Sequence, residues 1–410
     1  MPAAIPSGTP TRFVALDVHR HYLVVGAVDA QQTVVLAPRR LGFAAFATWA
    51  QDHLFTTDAV VLEASANAWL LHDQLAPLVA SVTVAHPLGV KLIAAARVKT
   101  DGRDTIKLAR LLAANLIPAV WVPPEPVRAL RALVTHRKRL VQQRTQARNR
   151  LHAVLHRHNL TAPDGKPFAV HQREWWLTLD LAPSEQLRVR QDLELLDALQ
   201  RLITEVETEL GRLSTCSPWV EQVPFLVQLP GIGVLTAMIV LAGIGDITRF
   251  PSARHLVGYA GLGTSVHASG QVHRGGRITK EGRSELRGAL VEAAWVAVET
   301  HAHWKAHFAR LSARIGPQKA IVAVARKLLV AIWHVLTAQT ADVNAEVQAV
   351  SRKLLQWVSR CGTTPGQRRS RLALLRQYLD QLGLEADRVT YKGAVYELPS
   401  PLGRSTMAES

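Results

Sequence analysis

The sequence predicts an α/β domain followed by a mainly α remainder, and three observations carry that prediction. Short β-branched runs, FVALDVH, HYLVVGAVDA and TVVLAP, follow one another within residues 12–38 and precede alternating helical and strand-like segments. Two long stretches beyond residue 126 carry apolar residues at helical spacing. Between these regions lies IPAVWVPPEP (117–126), whose four prolines end one domain before the next begins.

Taken in chain order, the three opening strands lead into a helical stretch from Leu41 to His53. AVVLEAS is a further strand, NAWLLHDQLAPLV a helix, SVTVAHP a fifth strand, and Val90 to Ala96 the start of another helix. TDGRDTIKLARLLAANL closes this first domain, placed at 11–120, with a helix. From Arg128 to His158 there are nine Lys/Arg and no acid, with Leu130, Leu133, Leu140, Ala147, Leu151 and Val154 on one helical face. Residues 183–213 form a second long helix, with Leu195, Leu199, Leu202, Val206, Leu210 and Leu213 near a heptad seam. Joined through TAPDGKPF, the two read as an antiparallel hairpin or coiled-coil arm over 126–215, serving either internal packing or oligomerisation. A third domain, 217–340, holds the densest glycine punctuation and helices at 284–300 and 318–338. Residues 346–410 read as helical and then irregular, with no chemistry assigned.

The 410 residues suffice for two or three domains at roughly 150 each. Lys+Arg number 48 against 32 Asp+Glu, a formal charge of +16, which favours a polyanionic partner such as nucleic acid. Two cysteines, Cys216 and Cys361, suffice neither for a zinc cluster nor for a disulfide framework. The leader MPAAIPSGTPTR has no apolar core of signal-peptide type, and GIGVLTAMIVLAGIG (231–245), at 15 residues, is too short to span a bilayer. The expectation is a cytoplasmic protein without a membrane partner.

Acids are scarce, so their placement matters. Asp17 closes FVALD, Glu63 closes AVVLE, and Asp101 and Asp104 share one face at the start of a helix. If Asp17 and Glu63 fall on neighbouring strands in a ribonuclease H-like order, the four would hold Mg²⁺ beside a scissile phosphate. The alternative is that Asp101 and Asp104 only charge-match a helix N-terminus, with Asp17 and Glu63 as strand-end surface residues. LVQLPGIGVLTAMIVLAGIG (226–245) is similar to a helix-hairpin-helix element, in which Gly231 and Gly233 permit a tight turn whose N–H groups face a phosphate. A plain glycine turn between two core helices is the competing reading. HASGQVHRGGRITKEGRSELRGALVEAAW (267–295) places Ser269 in a loop followed by Arg274, Arg277, Lys280 and Arg283. A serine hydroxyl there could attack a phosphodiester, although Ser265 and Ser284 have equal chemical claims. Arg137, Lys138, Arg139, Arg144 and Arg148 on the basic helix are candidate backbone contacts. His267, His273, His301, His303 and His307 lack cysteine partners and read as solvated or DNA-facing, while Trp175–Trp176 reads as a helix anchor.

FVALDVH, AVVLEAS and KTDGRDTIKLARLL resemble the N-terminal domain of the DEDD insertion-sequence transposases, the insertion sequence one-ten family. LPGIGVLTA and Y-A-G-L-G…A-S-G…G-R-I-T-K-x-G-R-x-x-L-R resemble that family's C-terminal domain, and the order and spacing agree over most of 12–335. The resemblance implies a RuvC-like, ribonuclease H-type first domain, a coiled-coil arm and a serine-bearing transposase domain. It implies that Asp17, Glu63, Asp101 and Asp104 bind Mg²⁺ and that Ser269 is the catalytic serine, giving a phosphoserine intermediate. Where several relatives carry a second serine this chain has Ala268, and Gly270-Gln271-Val272 replaces the usual Gly-Gly-Lys, so a loop cation must come from elsewhere, such as Arg274. The resemblance further implies donor and target DNA, an element-encoded guide RNA that supplies specificity by base pairing, and a homodimer or homotetramer. A RuvC-like structure-specific nuclease using metal-activated water, or a non-catalytic nucleic-acid-binding relic, are the alternatives.

Overall fold

The computed structural model describes residues 10–93, 100–269, 272–360 and 371–400, with backbone alone for Asp164, 266–269 and 272–275. The chain divides into two compact units, meeting in sequence at Pro123–Pro124 inside the proline-rich segment. Each unit is described by itself.

The first unit runs β1 (Arg12–Val18), β2 (Tyr22–Asp29), β3 (Val34–Gly42), α1 (Phe43–His53), β4 (Asp58–Glu63), α2 (Ala68–Leu75), β5 (Ser81–Ala85), α3 (Pro87–Ile93) and α4 (Asp101–Ala113). Five strands form one sheet in the order β3-β2-β1-β4-β5. β2 pairs antiparallel with both β1 and β3, whereas β4 pairs parallel with both β1 and β5. Val14, Leu16, Leu23, Val25, Val60 and Leu62 pack with α1 and α2 on one face. Ala15, Val28 and Val61 pack with Leu108 and Ala109 of α4 on the other. This is the period-2 alternation of a sheet covered on both sides. Gly26 lets α4 come close: a Cβ there would lie 3.0 Å from the Ile106 side chain. The sequence-derived strands and helices of this unit are present within a few residues of their expected bounds, except that residues 94–96 of the helix expected at Val90 to Ala96 lie outside the described residues.

The second unit begins with α5 (Glu125–Arg157), α6 (Arg173–Thr178) and α7 (Pro183–Leu213). It continues with α8 (Val223–Val227), α9 (Val234–Ile244), α10 (Ala253–Tyr259), β6 (Thr264–Ser269), β7 (Val272–Ile278), α11 (Ser284–Thr300), α12 (Ala302–Ile315) and α13 (Pro317–Ala338). It ends with α14 (Val347–Val358), α15 (Arg371–Leu382), β8 (Arg388–Tyr391) and β9 (Ala394–Glu397). α5 and α7 are antiparallel: Arg137 meets Glu207, Arg144 meets Gln200, Arg150 meets Asp192 and Arg157 meets Glu185. Buried Val189, Leu196, Ile203 and Leu210 recur every seven residues on α7, with Leu193 and Leu199 beside them. The expected seam is displaced only in part, for Leu199 and Leu210 lie on the buried stripe and Val206 packs beside it. Leu195 and Leu202 sit one residue, about 100° of helix, off the buried one and are 41% and 37% exposed.

Three further expectations change here. The segment around Ser269 is not a loop but an antiparallel hairpin of β6 and β7, in which Ser269 pairs with Val272. Among the described residues after 346 the helical part is present, and beyond it α15 buries Leu375, Leu379 and Leu382 and is followed by the β8–β9 hairpin rather than irregular chain; 361–370 and 401–410 lie outside the described residues. α13, at 22 residues, is long and apolar enough to cross a membrane by composition, which the 231–245 run was not. Nine of its side chains are instead buried against α10, α11 and α12 and their neighbours, so in this fold it is a core helix.

The turn Leu229–Gly233 between α8 and α9 is fixed by Gly231. Its φ is +76°, and a Cβ there would lie 2.0 Å from the Ala293 carbonyl oxygen of α11. Gly233 has φ −95° and no atom near its absent Cβ. Gly231→Ala should lower unfolding free energy by about 3 kcal/mol or more, from left-handed strain plus backbone overlap. Gly233→Ala should fall within about 1 kcal/mol of wild type. Urea denaturation of both variants checks this contrast.

Candidate metal and nucleic-acid site

Strand parity assembles the carboxylates. Ala15 and Val61 face α4, so Asp17 and Glu63, two residues further along β1 and β4, face it as well. Leu16 is paired in register with Leu62, which sets Asp17 and Glu63 beside each other at the carboxyl ends of parallel neighbours. α4 starts at Asp101, capped by the Thr100 hydroxyl, which accepts from the Arg103 N–H. Thus Thr100 does the capping, which frees the first-turn acids Asp101 and Asp104 from that task.

Asp17, His19 and Asp101 offer ligand atoms that all lie within 4.8 Å of one another. His19 Nε2 stands 3.2 Å from Asp17 Oδ2 and 3.4 Å from Asp101 Oδ2. The Tyr22 hydroxyl donates to Asp101 Oδ2 at 3.0 Å, and the Arg40 guanidinium lies 3.6 Å over the Tyr22 ring. Burial pushes the Asp17 carboxyl above its ordinary 3.8, His19 opposes that shift, and the charges of Asp101 and Asp104 add to it. Asp104 is one turn further along α4, and Glu63 follows the register, so neither belongs to the 4.8 Å group. Two carboxylates and one imidazole nitrogen held this close are a donor set that can hold a divalent cation. His19 and Tyr22 were missed at the level of sequence. For His19 the signal was Asp-x-His at 17–19, which sets an imidazole just past the end of β1.

In the second unit Ser269 ends β6 and Arg274 lies on β7, paired with His267. Arg277 and Lys280 are exposed, the latter with φ +57°. The hairpin's base is locked by two glycine turns. A Cβ on Gly261 would lie 2.0 Å from the Glu281 carbonyl oxygen, and one on Gly282 equally close to that of Tyr259. Thr279 and Lys280 N–H groups donate to the Gly263 and Gly261 carbonyls across the same junction. Burial works to raise the Tyr259 phenol's pKa, but Arg131, Arg249 and Arg283 around it together bring it below its ordinary value.

Several cations of the basic helix have partners inside the protein. Arg137 is paired with Glu207, Lys138 with Glu285, Arg144 donates to Gln200, and Arg148 stacks over Phe168. Arg139 is exposed. The histidine expectation also changes: His301 and His307 are buried, His301 bonding the Asn344 carbonyl and His307 contacting Arg310, so neither is solvated. His267 and His273 are described by backbone alone, and Cys361 lies outside the described residues. Trp176 is fully buried and donates to the Pro167 carbonyl at 2.6 Å, an anchor as expected.

Residues 224–309 match the profile of the transposase IS116/IS110/IS902 family, and residues 14–160 that of a DEDD-type IS110 transposase. A protein of Sinorhizobium fredii named as a transposase is 30% identical over 63% of this chain and 63% of its own length. The pilin gene-inverting protein of Moraxella bovis is 27% identical over 76% of this chain and 90% of its own. The transposase for insertion sequence element IS1111A of Coxiella burnetii is 32% identical over 51% and 59%. The matched region thus spans just under two thirds of the first of these relatives.

Because the folded state raises the Asp17 pKa, its protonated form is favoured on folding, and stability falls as pH rises above about 4 through the shifted value. Asp17→Asn should therefore melt higher than wild type at pH 7, and the gap should close below pH 4. Adding millimolar Mg²⁺ at pH 7 should raise the melting temperature of wild type more than that of Asp17→Asn.

Proposed function

Because the chain belongs to the IS116/IS110/IS902 family of transposases, we propose that it is a site-specific DNA recombinase that moves an insertion sequence. The observation that carries this reading is the close grouping of Asp17, His19 and Asp101, with Glu63 at the end of the neighbouring parallel strand. The strand order β3-β2-β1-β4-β5, with one antiparallel and one parallel half, supports a RuvC-like, ribonuclease H-type reading of the first unit. The two helices flanking the Gly231 turn support the helix-hairpin-helix reading of the second.

Asp17, Glu63, Asp101 and Asp104 would hold Mg²⁺, which when bound offsets charge on the scissile phosphate and polarises it. The acids orient the strand to be cut, and Tyr22 fixes the Asp101 carboxylate by its hydrogen bond. Ser269 Oγ then attacks phosphorus. The Oγ–P bond forms as the P–O3′ bond breaks, the serine proton is released, and the leaving 3′ oxygen takes up a proton. One phosphoester replaces another, so attack by a new 3′ hydroxyl rejoins the strand and frees the serine without a nucleotide cofactor. Exposed Arg139, Arg277 and Lys280, with the N–H groups at Gly233, would grip phosphates. The charge of +16 supports an element-encoded guide RNA as a second polyanion, with base pairing supplying sequence specificity. Exposed Leu195 and Leu202 on α7 support a homodimer or homotetramer, in which the serine and the acids of one site come from different subunits. The Moraxella relative, named for inverting a gene, supports recombination over simple cutting.

On cleavable substrate the wild type should leave a covalent protein–DNA adduct that survives denaturing gels. Ser269→Ala should abolish the adduct and lower cleavage by about 10³-fold or more. Asp17→Asn and Asp101→Asn should abolish both as well. Cleavage by Ser269→Ala at the wild-type rate would establish instead a nuclease with water as nucleophile.

A further inference from the structure

A cavity of about 670 Å³ opens between α7, the start of α9 and helix α14. Its wall includes Gly233, Val234 and Leu235, together with Arg212, Lys353 and Arg360. The first N–H groups of α9 are not bonded within the helix, whose ladder begins with the Ala237 N–H donating to Gly233, and no side chain caps them. They present the positive end of the helix dipole to the cavity.

Two cations come to this spot from the far end of the chain. Lys353 Nζ donates to the Leu229 carbonyl at 2.7 Å, the single hydrogen bond it makes among the described residues. An ammonium has three donors, so two are left for something else. Burial lowers the Lys353 pKa to about 8, and no carboxylate offsets the loss of hydration. Arg360 follows α14, and its Nη1 lies 2.7 Å from the place a Cβ on Gly211 would take, so the absence of a side chain on α7 makes its room. The acid in the wall, Glu207, is already paired with Arg137, and Arg212 is paired with Glu209.

We propose that this cavity binds a phosphate group of a nucleic-acid backbone, with Lys353 and Arg360 completing a cradle begun by the N–H groups of α9. The proposal rests on the nucleic-acid reading above and adds to it a role for residues after 346. Paired cations and free N–H groups around one concavity match the oxygen fan of a phosphodiester, and the cavity is large enough for the flanking sugars.

The test uses the full-length protein and two fluorescent probes, a 30-base-pair DNA duplex and a 30-nucleotide single-stranded RNA, titrated by anisotropy over a salt series. Lys353→Met and Arg360→Gln should each weaken one or both probes about fivefold to tenfold, and each should reduce the salt slope by about one contact. Loss confined to the duplex assigns the cradle to DNA, and loss confined to the single strand assigns it to RNA. Lys353→Met should melt no lower than wild type, because it removes an isolated buried charge while keeping the aliphatic stem. Between pH 7 and 9 wild-type affinity should fall more steeply than that of Lys353→Met. Exposed Lys392→Gln, on the β8–β9 turn, serves as a control for net charge and should bind as wild type. Wild-type affinity in Lys353→Met and Arg360→Gln, with a lowered melting temperature in the former, would reduce Lys353 to a structural tether. Failure of the wild type itself to bind either probe would overturn the nucleic-acid reading along with the cradle.

Discussion

The parallel pairing of β1 with β4 is the constraint on which the acidic site depends. A sheet side chain repeats every two residues, so a slip of one residue in that pairing would turn Glu63 toward α1 and α2 and away from Asp17. The register is secured from both sides, by Val14, Leu16, Val60 and Leu62 against one layer of helices and by Ala15 and Val61 against α4. The carboxylates are thus held at close quarters by apolar burial that has nothing to do with their charge. That explains how like charges can be kept together in the folded chain, with Asp17 above its ordinary pKa and His19 between two acids.

In the second unit the organising interactions are closer to the backbone. Gly231 sets the α8–α9 turn on α11, while Gly261 and Gly282 lie on each other's neighbouring carbonyls beneath the β6–β7 hairpin. The motifs Y-A-G-L-G and K-E-G-R, more than fifteen residues apart, are therefore two sides of one junction. Most of the named cations on α5 are balanced by acids and amides of α7 and α11, so the helix is less open to a polyanion than its composition suggests.

The first unit was legible because its strands are short and β-branched and its acids close them. Asp17 and Glu63 could be placed at strand ends from FVALD and AVVLE alone. His19 was not, because nothing local distinguishes a histidine that joins two carboxylates from one in solvent. On α7 the expected Leu199 and Leu210 are buried but Leu195 and Leu202 are not, since leucines occupy both the buried and the exposed stripe and only the partner helix selects between them. The hairpin carrying Ser269 escaped notice because its glycines and arginines resemble a loop, and its pairing depends on the glycine junction below it. Buried His301 and His307 show the same limit, as their surroundings come from distant helices.

The helix α5 has 33 residues and so extends about 50 Å. Near its start Arg131 is bonded to the carbonyls of Ala242 and Gly243 at the end of α9, and Lys138 to Ser284 and Glu285 at the first turn of α11. That helix is entered directly from the strand that follows Ser269. About 30 to 40 Å of rod extend beyond this clamp, so a tilt of about 5° there sweeps the tip through about 3 Å. The converse holds as well, so a load drawn against the tip would arrive at the hairpin's base as a torque on the residues that set the serine strand.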